Sequence, residues 1–178
     1  MKIMLRVVLV LALVSAAYAV QDVVSAVHGT VDKIDEAGKV VVVKTADGTK
    51  YSLHLLKTTT VHGADASAAA AKGSWHGIEE GSEVVAHYTK SGTETSAVEI
   101  DRVGKGGLTV TEGTIKSISR GGKKLVVVAS DGTEKTFVLT SHAAKDAGTG
   151  IAKGTEKGAK VVVYSSEEAG KKIAHFFE

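Results

Sequence analysis

The hydrophobic and polar positions of this chain follow one pattern twice. Residues 39–45 are rich in valine, lead into an Asp-Gly pair, and are followed by a segment in which apolar and polar residues alternate. Residues 124–129 begin the same pattern again, with an Asp-Gly pair of their own. Valine-rich runs and strict alternation are typical of β-strands, and Asp-Gly between two such segments indicates a hairpin with a tight primed turn. The pattern predicts a chain built mainly from paired strands.

The similarity extends well beyond these hairpins. Residues 28–34 match 112–118, and residues 77–88 match 154–165. Residues 96–100 then align with 172–176, near the end of the chain. A unit of this length is too long for a solenoid repeat and is better interpreted as a small domain present twice. We predict two domains, residues 20–103 and residues 104–178.

A glycine interrupts the first predicted strand of each copy, Gly29 in the first and Gly113 in the second. The apolar positions after it step by three residues, which breaks the alternation of a flat strand. A strand with an internal glycine and such a shift is bent or bulged. In each third strand, alternation predicts the core positions Leu53 and Leu55, and their counterparts Phe137 and Leu139.

A short helix is predicted between the third and fourth strands of each copy. In the first copy Asp65 caps an alanine run that ends at Gly73, and in the second copy Ser141 caps a shorter segment. Two further strands follow in each copy, so the order of elements is β-β-β-α-β-β. This is the order of an OB-fold, a five-stranded, partly open Greek-key barrel. The predicted fold is mainly β, with two tandem small five-stranded OB-like barrels, each with one short helix.

The motifs of the first copy resemble those of a known group of domains. They are G-T-V-x-x-I-D at residues 29–35, T-x-D-G-T at residues 45–49 and G-x-E-V-V at residues 81–85. The set resembles small exported bacterial OB-like domains of unknown function, here duplicated, and more weakly periplasmic OB-fold proteins linked to stress and ligand binding. The resemblance implies a small β-barrel in an exported protein and brings no catalytic residues with it.

The N-terminus has the pattern of a secretory signal peptide. Lys2 and Arg6 give the start of the chain a positive charge, residues 7–14 are an unbroken apolar run, and small residues precede and include Ala19. The alternative is an uncleaved membrane anchor, but a spanning helix needs about 20 apolar residues. We therefore predict a signal peptide at residues 1–19 that is cleaved after Ala19, no transmembrane segment in the mature chain, and a periplasmic or secreted protein.

The cysteine content and the charge of the chain restrict the kinds of cross-link and ligand that we expect. The chain has no cysteine, so disulfides and a cysteine-linked lipid anchor are excluded. Residues 20–103 carry 8 basic and 12 acidic groups, whereas residues 104–178 carry 12 and 8. This difference in net charge has three possible explanations: chance variation on solvated faces, electrostatic attraction between the two barrels, or a weakly bound anionic ligand on the second barrel. We expect an intramolecular contact between the barrels, and no nucleic-acid ligand, because the basic residues lack interleaved aromatic side chains.

The search for chemistry finds few candidates. No nucleophile elbow, phosphate loop, zinc-protease motif or calcium loop occurs, so we predict no enzyme, no catalytic residue and no cofactor. His62 and His76 flank the alanine run and are the candidate metal ligands, although scattered surface imidazoles would look the same. Trp75 is the candidate ligand-binding residue, since it could stack on a sugar or a base, and the alternative is a plug at one end of the barrel.

Two functional hypotheses follow from these observations. The first is an exported, non-catalytic binding or structural module of the cell envelope or extracellular space, with a carbohydrate, peptide or protein as its ligand. The alternative is a metal- or anion-responsive periplasmic protein that uses the histidine-rich first copy, which contains five of the seven histidines.

Overall fold

The computed structural model describes residues 24–62, 77–119, 123–141, 143 and 157–178. The first barrel consists of β1 (Val24–Asp35), β2 (Val40–Lys44), β3 (Lys50–His62), β4 (Glu83–Ser91) and β5 (Glu94–Arg102). The second consists of β6 (Thr109–Ile118), β7 (Lys124–Ala129), β8 (Glu134–Leu139), β9 (Lys160–Glu168) and β10 (Lys171–Phe177). Among the described residues no helix is long and apolar enough to cross a membrane.

The two sheets have the same topology. Around the first barrel the order is β1-β2-β3-β5-β4, and around the second it is β6-β7-β8-β10-β9. Each barrel closes because its first strand pairs on both sides, β1 with β2 and β4, and β6 with β7 and β9. The pairs β3–β5 and β8–β10 are parallel, and the other pairs are antiparallel. The prediction of a mainly β chain with five-stranded barrels is confirmed.

Each barrel encloses its own apolar core, because alternate residues of every strand point inward. The four positions predicted from the third strands are all buried: Leu53, Leu55, Phe137 and Leu139. Val31 and Ile100 complete the centre of the first core. Each copy therefore holds itself together by burial of its own apolar side chains.

The glycine of each first strand is required by a close backbone approach. A side chain at Gly29 would overlap the carbonyl oxygen of Lys44 on β2, and one at Gly113 would overlap that of Val128 on β7. Neither glycine has a positive φ. A register shift follows each of them, between Val31 and Lys33 in β1 and at the corresponding place in β6. The predicted bend is present, and contact between strands rather than backbone angle explains the glycine.

The Asp-Gly hairpins are present, but the predicted primed turn is wrong. Gly48 has a φ of 87°, whereas Asp47 has no positive φ. The Gly48 N–H donates to the Thr45 carbonyl at 2.9 Å, and the Thr45 N–H donates to the Thr49 carbonyl at 2.9 Å. This is a three-residue loop that ends in a glycine of left-handed conformation. The Asp47 carboxylate accepts a hydrogen bond from the Thr49 N–H at 3.0 Å and so stabilises the loop.

The predicted helices are not observed as complete elements. The first, from Asp65 to Gly73, lies outside the described residues, as does the signal peptide at residues 1–19. In the second copy Ser141 and Ala143 have helical backbone. The Ala143 N–H donates to the Thr140 side-chain hydroxyl at 3.0 Å, so Thr140 rather than Ser141 is the cap.

The two barrels are in contact, as predicted, through an apolar cluster. It consists of Val85, Val103, Leu108 and Tyr164, with Val162 and Phe176 packed against it. The connection between the barrels is a compact turn, in which the Gly104 N–H donates to the Leu108 carbonyl at 2.8 Å. The contact is thus hydrophobic at this cluster, although the opposite net charges of the two copies had suggested an electrostatic attraction.

Candidate metal centre between the barrels

Two carboxylates of β5 face the second barrel. Ile100 belongs to the first core, and Glu99 and Asp101 on either side of it point away from that core, since neighbouring strand residues face opposite ways. The Asp101 side chain is 1% exposed and that of Glu99 is 14% exposed. Burying ionised carboxylates is costly unless a positive charge or hydrogen-bond donors accompany them. Glu99 and Asp101 therefore need cationic partners close by.

His62 supplies the first partner, from the end of β3. The parallel pairing of β3 with β5 places His62 directly beside Asp101. Its Nδ1 lies 2.8 Å from Asp101 Oδ1 and 3.4 Å from Glu99 Oε1. One donor atom from each of His62, Glu99 and Asp101 lies within 4.8 Å of the others. The His62 side chain is 56% exposed, so this group of donors is open to solvent on its His62 side.

His175 supplies the second partner, from β10 of the other barrel. Its Nδ1 lies 3.4 Å from Asp101 Oδ2 and 3.6 Å from Glu99 Oε1, and its side chain is 8% exposed. The other ring nitrogen, Nε2, lies 2.9 Å from the Ser166 hydroxyl. The two carboxylates of the first barrel are thus flanked by one imidazole from each barrel.

β-bulges bring these side chains into position. In β10 the pairing with β9 steps from Ala174 to Phe176, which leaves His175 as the extra residue. In β5 the pairing with β4 steps from Ala97 to Glu99, so Val98 is the extra residue there. A bulge bends the strand and re-aims the neighbouring side chains. Ala97 and Ala174 therefore correspond, and the alignment of residues 96–100 with 172–176 is wrong by one position.

The charges of the cluster shift the ionisation of its members. Burial alone would lower the pKa of His175, but the nearby carboxylates of Asp101 and Glu99 outweigh it and raise that pKa to about 9. The interaction with His175 holds the pKa of Glu99 below its usual range against the opposing effect of burial, with smaller electrostatic contributions from His87 and His62. His87 is a fully buried neighbour of Glu99 on β4. The cluster therefore favours ionised carboxylates opposite imidazoles.

Two polar atoms of the cluster are buried without a hydrogen bond to the described part of the chain. Asp101 Oδ2 and His175 Nδ1 are near enough for an ion pair but do not have hydrogen-bonding geometry, and His175 Nδ1 also lies 3.6 Å from Glu99 Oε1. Buried polar atoms of this kind are uncommon and require an explanation such as an ion or water. Imidazole nitrogens together with carboxylate oxygens are a donor set that suits zinc, copper, nickel and cobalt ions.

The outcome for the residues chosen from sequence is mixed. The structure places His62 in the cluster, while His76 and Trp75 lie outside the described residues. Metal binding by the two histidines and ligand binding by Trp75 stay predictions. Sequence reasoning missed Glu99, Asp101 and His175. The alternating Glu-Ile-Asp at residues 99–101 was a signal, because it places two carboxylates on one face of a strand that carries a core residue between them.

Comparisons with known proteins place the chain in no family. No protein-family model matches it, and no curated protein matches it. Among solved structures the chain is similar to the crystal structure of Ag(I)CusF, with 15% sequence identity and a TM-score of 0.32, over 44% of this chain and 96% of that chain. The candidate centre therefore rests on the geometry of this chain's own residues.

Proposed function

We propose that the chain is a non-catalytic metal-binding module that holds one divalent transition-metal ion at His62, Glu99 and Asp101. The observation that supports this most directly is the convergence of three donor atoms within 4.8 Å around a carboxylate that is 1% exposed. Because a buried carboxylate is costly without a cation, a metal ion at this position would stabilise it. The exposed ring of His62 gives an ion access from solvent.

The donor set indicates the class of ion. Magnesium and calcium prefer six or more oxygen ligands, which this cluster does not offer among the described residues. Soft ions such as Cu(I) prefer sulfur, and the chain has no cysteine and only two methionines, Met1 and Met4, both in the predicted signal peptide. Mixed imidazole and carboxylate ligation suits zinc and its neighbours in the first transition row. Zn²⁺ and Co²⁺ are therefore the appropriate probes.

We further propose that the module acts outside the cytoplasm. The positive start, the apolar run and the small residues before Ala19 support this, because together they have the order of a cleaved signal peptide. A structural role of the kind first predicted is compatible with a bound ion, since an ion held between strands stabilises the folded state by its own binding free energy.

Calorimetric titration of the mature chain with Zn²⁺ tests the metal site. We expect saturable binding of one ion to the wild type and a loss of affinity of about 10-fold or more in His62→Ala. The matched control is His54→Ala, because His54 is also an exposed histidine of β3 but is not a member of the cluster. Absence of saturable Zn²⁺ binding by the wild type, or equal affinity in His62→Ala and His54→Ala, would contradict the proposal.

A further inference from the structure

We infer that His175 of the second barrel is a fourth ligand of the same ion, so that ion binding fastens the two barrels to each other. This inference depends on the metal site proposed above, whose other three ligands all belong to the first barrel. It adds a second function to the site, namely control of how firmly the two barrels are held together.

The distances from His175 to the two carboxylates are those of neighbouring ligands on one metal ion, although His175 is not in the group of donor atoms that all lie within 4.8 Å of one another. At zinc–ligand distances of about 2.0–2.1 Å, two ligand atoms of a tetrahedral site lie about 3.3–3.4 Å apart. His175 Nδ1 lies 3.4 Å from Asp101 Oδ2 and 3.6 Å from Glu99 Oε1. His62 Nδ1 lies 3.4 Å from the same Glu99 oxygen. Three of the ligand-to-ligand edges thus have about the right length before any ion is bound.

The 2.8 Å separation of His62 Nδ1 from Asp101 Oδ1 is shorter than a tetrahedral edge. It has the length of a hydrogen bond, which an entering ion would replace. Because His62 is the exposed member of the cluster, its ring is the group with space to move outward. The buried members, Asp101 and His175, are already at the required spacing and need little adjustment.

Ser166 sets the orientation of the His175 ring. The Ser166 hydroxyl lies 2.9 Å from Nε2, and when the ring donates its Nε2–H to that oxygen, the lone pair of Nδ1 faces the two carboxylates. Metal-bound histidines commonly donate their second ring nitrogen to such an acceptor, which fixes the tautomer. The two carboxylates opposite Nδ1 favour a positive charge there, which a proton supplies before an ion is bound and which a metal ion would supply in its place. The arrangement therefore has the second-nitrogen support that a histidine ligand needs.

The position of His175 in the chain explains how an ion bound to it would hold the two barrels together. His175 is the bulge residue of β10, and the next residue, Phe176, packs on the apolar cluster between the barrels. Separating the barrels would break the bond from the ion to His175 as well as the apolar contact. By linkage, an ion that binds more tightly to the docked arrangement favours that arrangement by the same factor.

The test uses the full mature chain with Zn²⁺ and Co²⁺ as probes. The variant is His175→Asn, because asparagine keeps a polar group near the Nδ1 position but is a poor zinc ligand; His54→Ala is again the control. We expect His175→Asn to lower Zn²⁺ affinity about 10-fold or more while one ion still binds, and to weaken the visible Co²⁺ bands of a four-coordinate site. We expect saturating Zn²⁺ to raise the urea midpoint of unfolding in both proteins, and to raise it less in His175→Asn than in the wild type.

The possible failures are distinguishable. If the wild type binds no ion, the proposed metal site is wrong and this inference falls with it. If the wild type and His175→Asn bind Zn²⁺ equally well, or if Zn²⁺ raises the urea midpoint equally in the two proteins, the metal site stands and the fourth ligand is wrong.

A measurement on the wild type alone covers the case in which His175→Asn does not fold. The Co²⁺-loaded protein should show two strongly shifted, exchangeable imidazole N–H proton signals by NMR, one for each bound histidine. In a protein that binds one Co²⁺ ion, absence of the slowly exchanging shifted signal expected from the buried His175 ring, whose Nε2 lies 2.9 Å from the Ser166 hydroxyl, would overturn its role.

Discussion

Replacement of Tyr164 by alanine should separate the unfolding of the two barrels. Tyr164 is 3% exposed and lies at the centre of the apolar cluster with Val85, Val103 and Leu108. Its hydroxyl donates to Glu178 Oε1 at 2.9 Å and lies 3.1 Å from His28 Nδ1. The side chain therefore links the second barrel to the first both through apolar contact and through hydrogen bonds.

The magnitude follows from burial. Truncating a buried aromatic side chain to alanine costs about 3–5 kcal/mol. The hydroxyl accounts for a small part of this, because a hydrogen bond contributes about 0.5–1.5 kcal/mol and its partners here are partly exposed. Urea m-values of about 1–3 kcal/mol/M convert a loss of 3 kcal/mol into a midpoint shift of about 1–3 M. Tyr164→Phe should therefore behave nearly as the wild type does.

Equilibrium unfolding in urea is the assay, since urea leaves ionic strength unchanged. We expect one transition in the wild type and in the exposed-site control Val110→Ala, and two separate transitions in Tyr164→Ala, because each barrel has its own core. Repeating the wild-type experiment in 1 M NaCl separates the two kinds of contact, because the Debye length then falls to about 3 Å. The reasoning is refuted if Tyr164→Ala keeps the wild-type transition, or if 1 M NaCl alone uncouples the wild-type barrels.

Three further predictions concern stability, ionisation and processing. Gly113→Ala should lower the urea midpoint more than Gly132→Ala. A side chain at Gly113 would overlap a strand carbonyl, whereas at Gly132 an alanine would meet no neighbour among the described residues and would be strained only by the φ of 81°. Equal losses in the two variants would contradict the close-approach explanation. Burial and the hydrogen bond to Glu178 raise the pKa of Tyr164, with the charges of Glu178, Glu83 and Glu112 contributing. An ultraviolet titration should therefore show one tyrosine that ionises after the others, and simultaneous ionisation of all tyrosines would refute this. The stability that this group contributes should be complete below about pH 10 and decrease above it. The exported chain should begin at Val20, which intact mass measures, and a mass that retains Lys2 would count against a cleaved signal peptide.

The strands and their inward faces could be predicted because they depend on local pattern. Alternation placed Leu53 and Phe137 in their cores, and the Asp-Gly pairs located both hairpins. The form of the turn was less accessible. Whether Asp47 also takes a positive φ depends on the hydrogen bonds that Thr45 and Thr49 make across the loop, and a dipeptide signal does not specify them.

The candidate centre could be predicted only in part, because it depends on contacts between distant parts of the chain. His62 was found from its place in a histidine-rich copy, but its partner Asp101 is adjacent only through the parallel pairing of β3 with β5. His175 was hidden for a different reason. Residues 77–88 match 154–165 at an offset of 77 (154 − 77), and the strand pairing keeps that offset and matches His175 to Val98, whereas aligning residues 96–100 with 172–176 changed the offset to 76 (172 − 96) and matched His175 to Glu99. Both copies carry a bulge at this place, so the bulge itself does not change the offset, and only the strand pairing shows which of the two offsets is correct.

A second polar cluster of the barrel contact shows why the metal site is proposed at one place and not at the other. There His28 Nε2 lies 2.8 Å from Glu83 Oε1, and its Nδ1 lies 3.1 Å from the Tyr164 hydroxyl, which itself donates to Glu178. Both ring nitrogens of His28 thus have hydrogen-bond partners, and an ion would have to break bonds that already exist.

At the candidate centre the balance is the opposite, although the strands that form it are equivalent. Asp101 corresponds to Glu178 through the strand pairing, yet Asp101 Oδ2 and the facing His175 Nδ1 have no hydrogen bond within the described residues. Two carboxylates and two imidazoles meet there, with Ser166 holding one ring in place. The same fold, present twice, therefore provides two similar polar clusters. A cation would contribute most to stability at the candidate centre, because the buried polar atoms there lack hydrogen-bond partners among the described residues.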